Sequence, residues 1–83
     1  MEFLQLFGER VRRARMRLGL SQTECARLAQ MPIAVLSRIE HGRQSIYLDR
    51  LVALLRTLNV SPEYLLGFRD DPTPLPPQKE TTP

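Results

Sequence analysis

Apolar positions recur three and four residues apart along most of this chain. Leu4, Phe7, Val11, Ala14 and Leu18 form one stripe, and Arg12, Arg13, Met16 and Arg17 fall opposite. That spacing predicts an amphipathic helix, with Gly19 as its left-handed cap. Ser21-Gln22-Thr23-Glu24 fits a capping box at the start of a second helix, and Leu20 and Cys25 sit where a hydrophobic staple would lie. This helix must stop near Gln30, because Pro32 biases Met31 away from helical dihedrals. Pro32 opens a third helix, where its missing N–H costs nothing, and Gly42 closes it. A fourth helix is predicted from Leu48 to Leu58, with Leu48, Leu51, Leu55 and Leu58 on one face and Asn59 as its cap. The fifth is short: Ser61 caps it, Pro62 opens its first turn and Gly67 ends it. No stretch alternates with period two long enough for a strand. The pattern predicts an all-α domain of five short helices.

At 100° per residue, Val35, Leu36 and Ile39 fall within about 100° of arc and form the buried stripe of the third helix. Ile33, Ala34, Ser37 and Arg38 then point outward. The second and third helices, joined by a tight turn, have the helix-turn-helix arrangement, whose second helix enters the major groove of DNA. On that reading Arg38 can pair bidentately with guanine, while Ile33 and Ala34 can pack only on thymine methyl groups. Ser37 can serve a base edge or a phosphate. With two apolar readers, DNA shape would carry more of the specificity than usual. The competing reading makes Ile33 and Ala34 a small apolar patch for a protein partner.

Charge sharpens this picture. Residues 8–69 hold eleven Arg and no Lys against five acids, a net +6. A compact basic body suggests a polyanionic partner. Residues 72–83, PTPLPPQKETTP, hold five of the seven prolines and no apolar period. A domain over 1–69 with a flexible Pro-rich tail over 70–83 is expected. A body this small buries only about 60% of its unfolded surface and gains from dimerisation.

Other chemistry finds little support. Cys25 and His41 are the single residues of their kinds, so no metal-ligand spacing can be built from them. No nucleophile–base pair or Gly-rich phosphate loop is present. No enzyme, cofactor or metal is expected. His41 ends the third helix, where it can cap carbonyls or touch a phosphate. The start, MEFLQLFGER, does not read as a signal peptide, and the longest apolar run, LVALL at 51–55, is too short for a membrane span. A soluble, cytoplasmic protein is expected.

Three segments, FGERVRRARMRLGLSQTECARLAQ, LSRIEHGR and LDRLVALLRTLNVSPEYLLG, together resemble the Cro/repressor-type, or Xre-like, helix-turn-helix proteins, whose domain is lambda-repressor-like. The resemblance covers residues 7–67. It implies that Gln22, with Ser21 beside it, clamps a DNA phosphate, and that Arg15 and Glu40 form a partly buried salt bridge. It implies that Arg43 and Gln44 follow the DNA backbone, and that Val60, Pro62 and the last helix, with Phe68 beyond it, form a dimer interface. The chain departs from the family pattern in four respects: Cys25 replaces Leu, Gln30 a turn Gly, Pro32 the Ser or Thr cap, and Ile33-Ala34 the polar readers. The expected function is repression by a homodimer on an inverted-repeat operator in double-stranded DNA, with half-sites about 34 Å apart. Two alternatives stand beside it. One is an antitoxin whose Pro-rich tail binds a protein partner. The other is a helical adaptor without DNA specificity.

Overall fold

The computed structural model describes residues 2–74. Five helices follow in order: α1 (Glu2–Arg17), α2 (Gln22–Leu28), α3 (Ile33–Glu40), α4 (Leu48–Leu58) and α5 (Pro62–Leu65). Among the described residues there is no strand, and no helix is long and apolar enough to cross a membrane.

The core is built from the predicted stripes. Phe7, Val11 and Ala14 of α1 meet Cys25 and Ala26 of α2, Leu36 and Ile39 of α3, Leu54 and Leu58 of α4, and Tyr64 and Leu65 of α5. α1 packs most closely on α3, and Gly8 makes that possible. A Cβ at Gly8 would overlap the Ile39 carbonyl oxygen and lie 2.8 Å from that of Glu40.

Two leucines expected inside are outside. Leu18 lies beyond the end of α1 and is exposed. Leu48 is 75% exposed, while Leu54 is fully buried. The buried arc of α4 centres on Leu54, Leu58 and Leu51, which leaves Leu48 roughly 80° of arc from Leu58.

Helix ends explain how so short a chain turns five times. The capping box at Ser21 and Glu24 is complete, with both hydrogen bonds at 3.0 Å. α1, α2, α3 and α5 each end in the paired backbone bonds of a Schellman motif. For α3 these run from the Arg43 N–H to the Arg38 carbonyl (2.9 Å) and from the Gly42 N–H to the Ile39 carbonyl (3.0 Å). The motif needs a left-handed residue. Gly42 supplies it after α3, whereas Gln30 supplies it after α2, at φ 56°.

Pro32 departs from the expectation by one position. It is the N-cap of α3, with φ −62° and ψ 142°, and not its first helical residue. The ring fixes φ but leaves ψ extended, so the helix begins at Ile33. Pro32 still contributes its carbonyl, which accepts from the Val35 and Leu36 amides.

After α5 the chain doubles back. The Ser61 N–H donates to the Pro72 carbonyl at 3.1 Å. Arg10 of α1 donates to the carbonyls of Tyr64 (2.9 Å) and Arg69 (2.6 Å) and to the Asp70 carboxylate (2.9 Å). The Arg10 guanidinium also stacks 4.6 Å from the centre of the Tyr64 ring. Residues 70–72, assigned by composition to the tail, thus begin as a strap on the body. The rest of the Pro-rich tail, beyond residue 74, lies outside the described residues.

Candidate nucleic-acid interface

The outward face of α3 carries the four residues its periodicity indicates. Ile33, Ala34 and Arg38 are exposed and Ser37 is half-buried, while Leu36 and Ile39 are buried and Val35 packs against the core. Ile33 retains 46% of its surface, so an apolar side chain stands at the head of the helix.

Arg38 does not project alone. Its Nε–H donates to the Gln44 Oε1 at 2.7 Å. The Schellman turn causes this meeting, because it folds the chain back over the last turn of α3. His41 Nδ1 lies 2.7 Å from the Ser37 carbonyl, so the imidazole caps the same helix end. Arg43 is exposed beside it.

Behind this face lies a buried polar knot. Arg15 binds Glu40 bidentately, Nε to Oε2 at 2.6 Å and Nη2 to Oε1 at 3.0 Å. Arg15 also donates to the Leu20 carbonyl. The Glu40 side chain is 1% exposed, a depth at which a carboxylate needs a partner. The pairing raises the Arg15 pKa above its ordinary value, chiefly through the hydrogen bond to Glu40. Gln22 joins the knot through its Nε2, which donates to Glu40 Oε1 at 3.1 Å. One amide N–H of Gln22 is therefore occupied, and its second remains for another acceptor. The Ser21 hydroxyl accepts from the Glu24 amide and faces the Glu24 carboxylate, whose pKa it helps to lower. Ser21 and Gln22 thus stand together at the start of α2, and Gln22 is tied to α3 through Glu40.

Cys25 is fully buried, and burial pushes its thiol pKa up. It fills core and is poorly suited to redox work. Among the described residues no group of His, Cys, Asp and Glu could hold a metal ion.

The sequence profile of the helix-turn-helix family HTH_3 matches residues 11–65. The chain belongs to this family. Membership places it among DNA-binding transcription regulators of the Xre and lambda-repressor type. Solved structures of the same fold include the restriction-modification controller protein C.AhdI from Aeromonas hydrophila. It is 29% identical with a TM-score of 0.75, over 78% of this chain and 98% of that one. The P22 c2 repressor, solved with a synthetic operator, is 31% identical with a TM-score of 0.73, over the same shares. The clp gene regulator ClgR from C. glutamicum, 23% identical with a TM-score of 0.74 over 80% of this chain and 85% of that one, shares the fold. A comparison with curated protein sequences returns no match.

The residues expected at a dimer interface divide. Val60 is 4% exposed and belongs to the monomer's own core, because it follows the left-handed Asn59 turn inward. It has little surface left for a second chain. Pro62 is exposed and Phe68 is 80% exposed. Leu6 lies against Gly67, next to Phe68, and is itself partly exposed. Arg10, the clamp on the C-terminal strap, carries no local sequence signal, since its partners are 54 to 60 residues away.

Proposed function

We propose that this helix-turn-helix protein is a sequence-specific repressor that binds an inverted-repeat operator as a homodimer. The observation that carries the reading is the outward face of α3, where Arg38, Ser37, Ile33 and Ala34 stand free of the core. In the major groove Arg38 pairs with guanine and the two apolar side chains pack on thymine methyls. Ser21, Gln22 and Arg43 hold phosphates on either side, and Gln44 can donate through its amide. Free N–H groups at the start of α2 favour an anion there. Two copies related by a two-fold axis present their α3 helices in successive grooves, about 34 Å apart. The surface around Phe68, Leu6 and Pro62 supplies apolar area for that pairing. Bound DNA is then closed to transcription by occupancy. The operators of P22 c2 support the reading by likeness of fold and by 31% identity.

Selection of bound duplexes from a random DNA library at physiological salt tests this directly. An enriched inverted repeat with a guanine in each half-site is the expected result. Binding of all duplexes alike, abolished by salt, would show only the charge of the surface and refute specific reading. In that case the exposed Ile33 would favour a protein partner.

A further inference from the structure

The hydrogen bond between Arg38 and Gln44 has a consequence for specificity. An arginine offers five N–H donors in a planar fork. It can meet guanine end-on through Nη1 and Nη2, or side-on through Nε and one Nη. Here the Nε–H is taken by Gln44 Oε1 at 2.7 Å, which leaves only the end-on edge. The acceptor also holds a long, rotamer-rich side chain in one orientation before any ligand arrives. Ordering it in advance lowers the cost of each bond made later.

The position of Gln44 is itself determined by the backbone. The Arg43 N–H is bonded to the Arg38 carbonyl, and Gly42 holds φ at +70°. A Cβ at Gly42 would lie 2.9 Å from the Gln5 Cα, so α1 closes the turn from behind. The acceptor is therefore presented to Arg38 just after a hydrogen-bonded turn that α1 backs. Gln44 spends its carbonyl on Arg38, and its Nε2 remains a donor directed by the same group.

We propose that Gln44 is a positioning residue for base reading: it locks Arg38 in the end-on orientation that selects guanine, and it couples that lock to the DNA backbone through its own amide. This rests on the reading that Arg38 contacts a base. It departs from a role for Gln44 as a phosphate contact alone, because it assigns Gln44 an effect on which base is chosen.

The test compares affinities for the duplex selected by the wild-type protein and for the same duplex with its conserved guanine pair replaced by adenine–thymine. For the wild type the ratio should be roughly 5- to 150-fold, the range of one bidentate contact. Arg38→Ala should bring the ratio close to one. Gln44→Ala should reduce it about threefold to tenfold, in line with one hydrogen bond. Gln44→Glu keeps the acceptor but replaces the amide donor with a negative charge. It should retain the ratio within about twofold while weakening binding to both duplexes. In an Arg38→Ala background, Gln44→Ala should leave the ratio unchanged.

The failures are separable. If Arg38→Ala keeps the wild-type ratio, or no sequence is selected at all, the docking of α3 is wrong and this proposal falls with it. If Arg38→Ala abolishes the ratio but Gln44→Ala leaves it intact and only weakens binding to both duplexes, Gln44 is a phosphate contact and nothing more. A higher ratio in Gln44→Ala would mean that the bond to Gln44 holds Arg38 away from guanine, which also overturns the proposal.

Discussion

Gln30 shows how far one residue's conformation can be read against its chemistry. A left-handed backbone costs an L-residue about 1–2 kcal/mol, yet Gln30 adopts φ 56° because α2 must end in a Schellman turn before Pro32. Gln30→Gly should therefore stabilise the protein by about 0.5–1 kcal/mol, after the extra unfolded-state freedom of glycine is deducted. A higher urea midpoint at unchanged slope would show it. At the other end of α2, the Ser21 amide and hydroxyl hold the Glu24 carboxyl below its ordinary pKa. The folded pKa is depressed, so this contribution is present above the ordinary carboxylate range and is lost as pH falls through the depressed value. Ser21→Ala removes the hydroxyl but keeps the amide, the larger cause, so the Glu24 titration followed by NMR should move only part of the way back toward ordinary. The four departures from the family pattern also resolve at this scale. Cys25 fills core, Gln30 makes the turn without glycine, Pro32 caps only with its carbonyl, and Ile33-Ala34 remain outward.

Between elements, sequence propensity and packing make opposite predictions at Gly8. In an isolated helix, Gly→Ala stabilises by about 1 kcal/mol. Here the added methyl meets backbone carbonyls of α3, at Ile39 and Glu40, and backbone cannot rotate aside as a side chain can. Overpacking costs about 1–3 kcal/mol or more. Gly8→Ala should lower stability by about 2 kcal/mol or more, and thermal unfolding decides the sign. Since α3 is the proposed reading helix, the same substitution should also weaken DNA binding by tilting it. The five helices and most boundaries were legible because each has a strong start or stop signal. The register of α4 was less so. Its leucine-rich face spans more arc than the core uses, and only the packing against α1 selects Leu54 over Leu48.

For the whole molecule, the closing contact is the Arg10 clamp. Asp70 is fully exposed, and exposed ion pairs contribute little, so Asp70→Ala should leave the unfolding midpoint unchanged. The bonds from Arg10 to two carbonyls and its stacking on Tyr64 are partly buried. Hydrogen bonds from a charged donor are worth more. Arg10→Ala should cost about 2–4 kcal/mol and speed hydrogen exchange at the Ser61 amide, which the strap covers through Pro72. Dimerisation is tested at Phe68. Its near-complete exposure in the monomer means that Phe68→Asp should leave folding intact. If the proposed dimer forms through this surface, the wild type should sediment as a dimer where the variant sediments as a monomer, and only the wild type should bind a two-half-site duplex cooperatively. Unchanged sedimentation would place the interface elsewhere.

The amino-acid sequence determined the helices, their caps and the outward face of α3, since these depend on spacing of three to four residues and on local hydrogen bonds. It also showed the family, through motifs that coincide in order. Tertiary structure decided what depends on distant residues meeting. Val60 turned inward and left Pro62 and Phe68 outside. Gln22 was tied to Glu40, and Gln44 was placed on Arg38. Arg10 found its partners at the far end of the chain. The physical reason is range: a cap or a stripe is specified within one turn of helix, whereas a side chain's partner across the core is specified only once every element has packed.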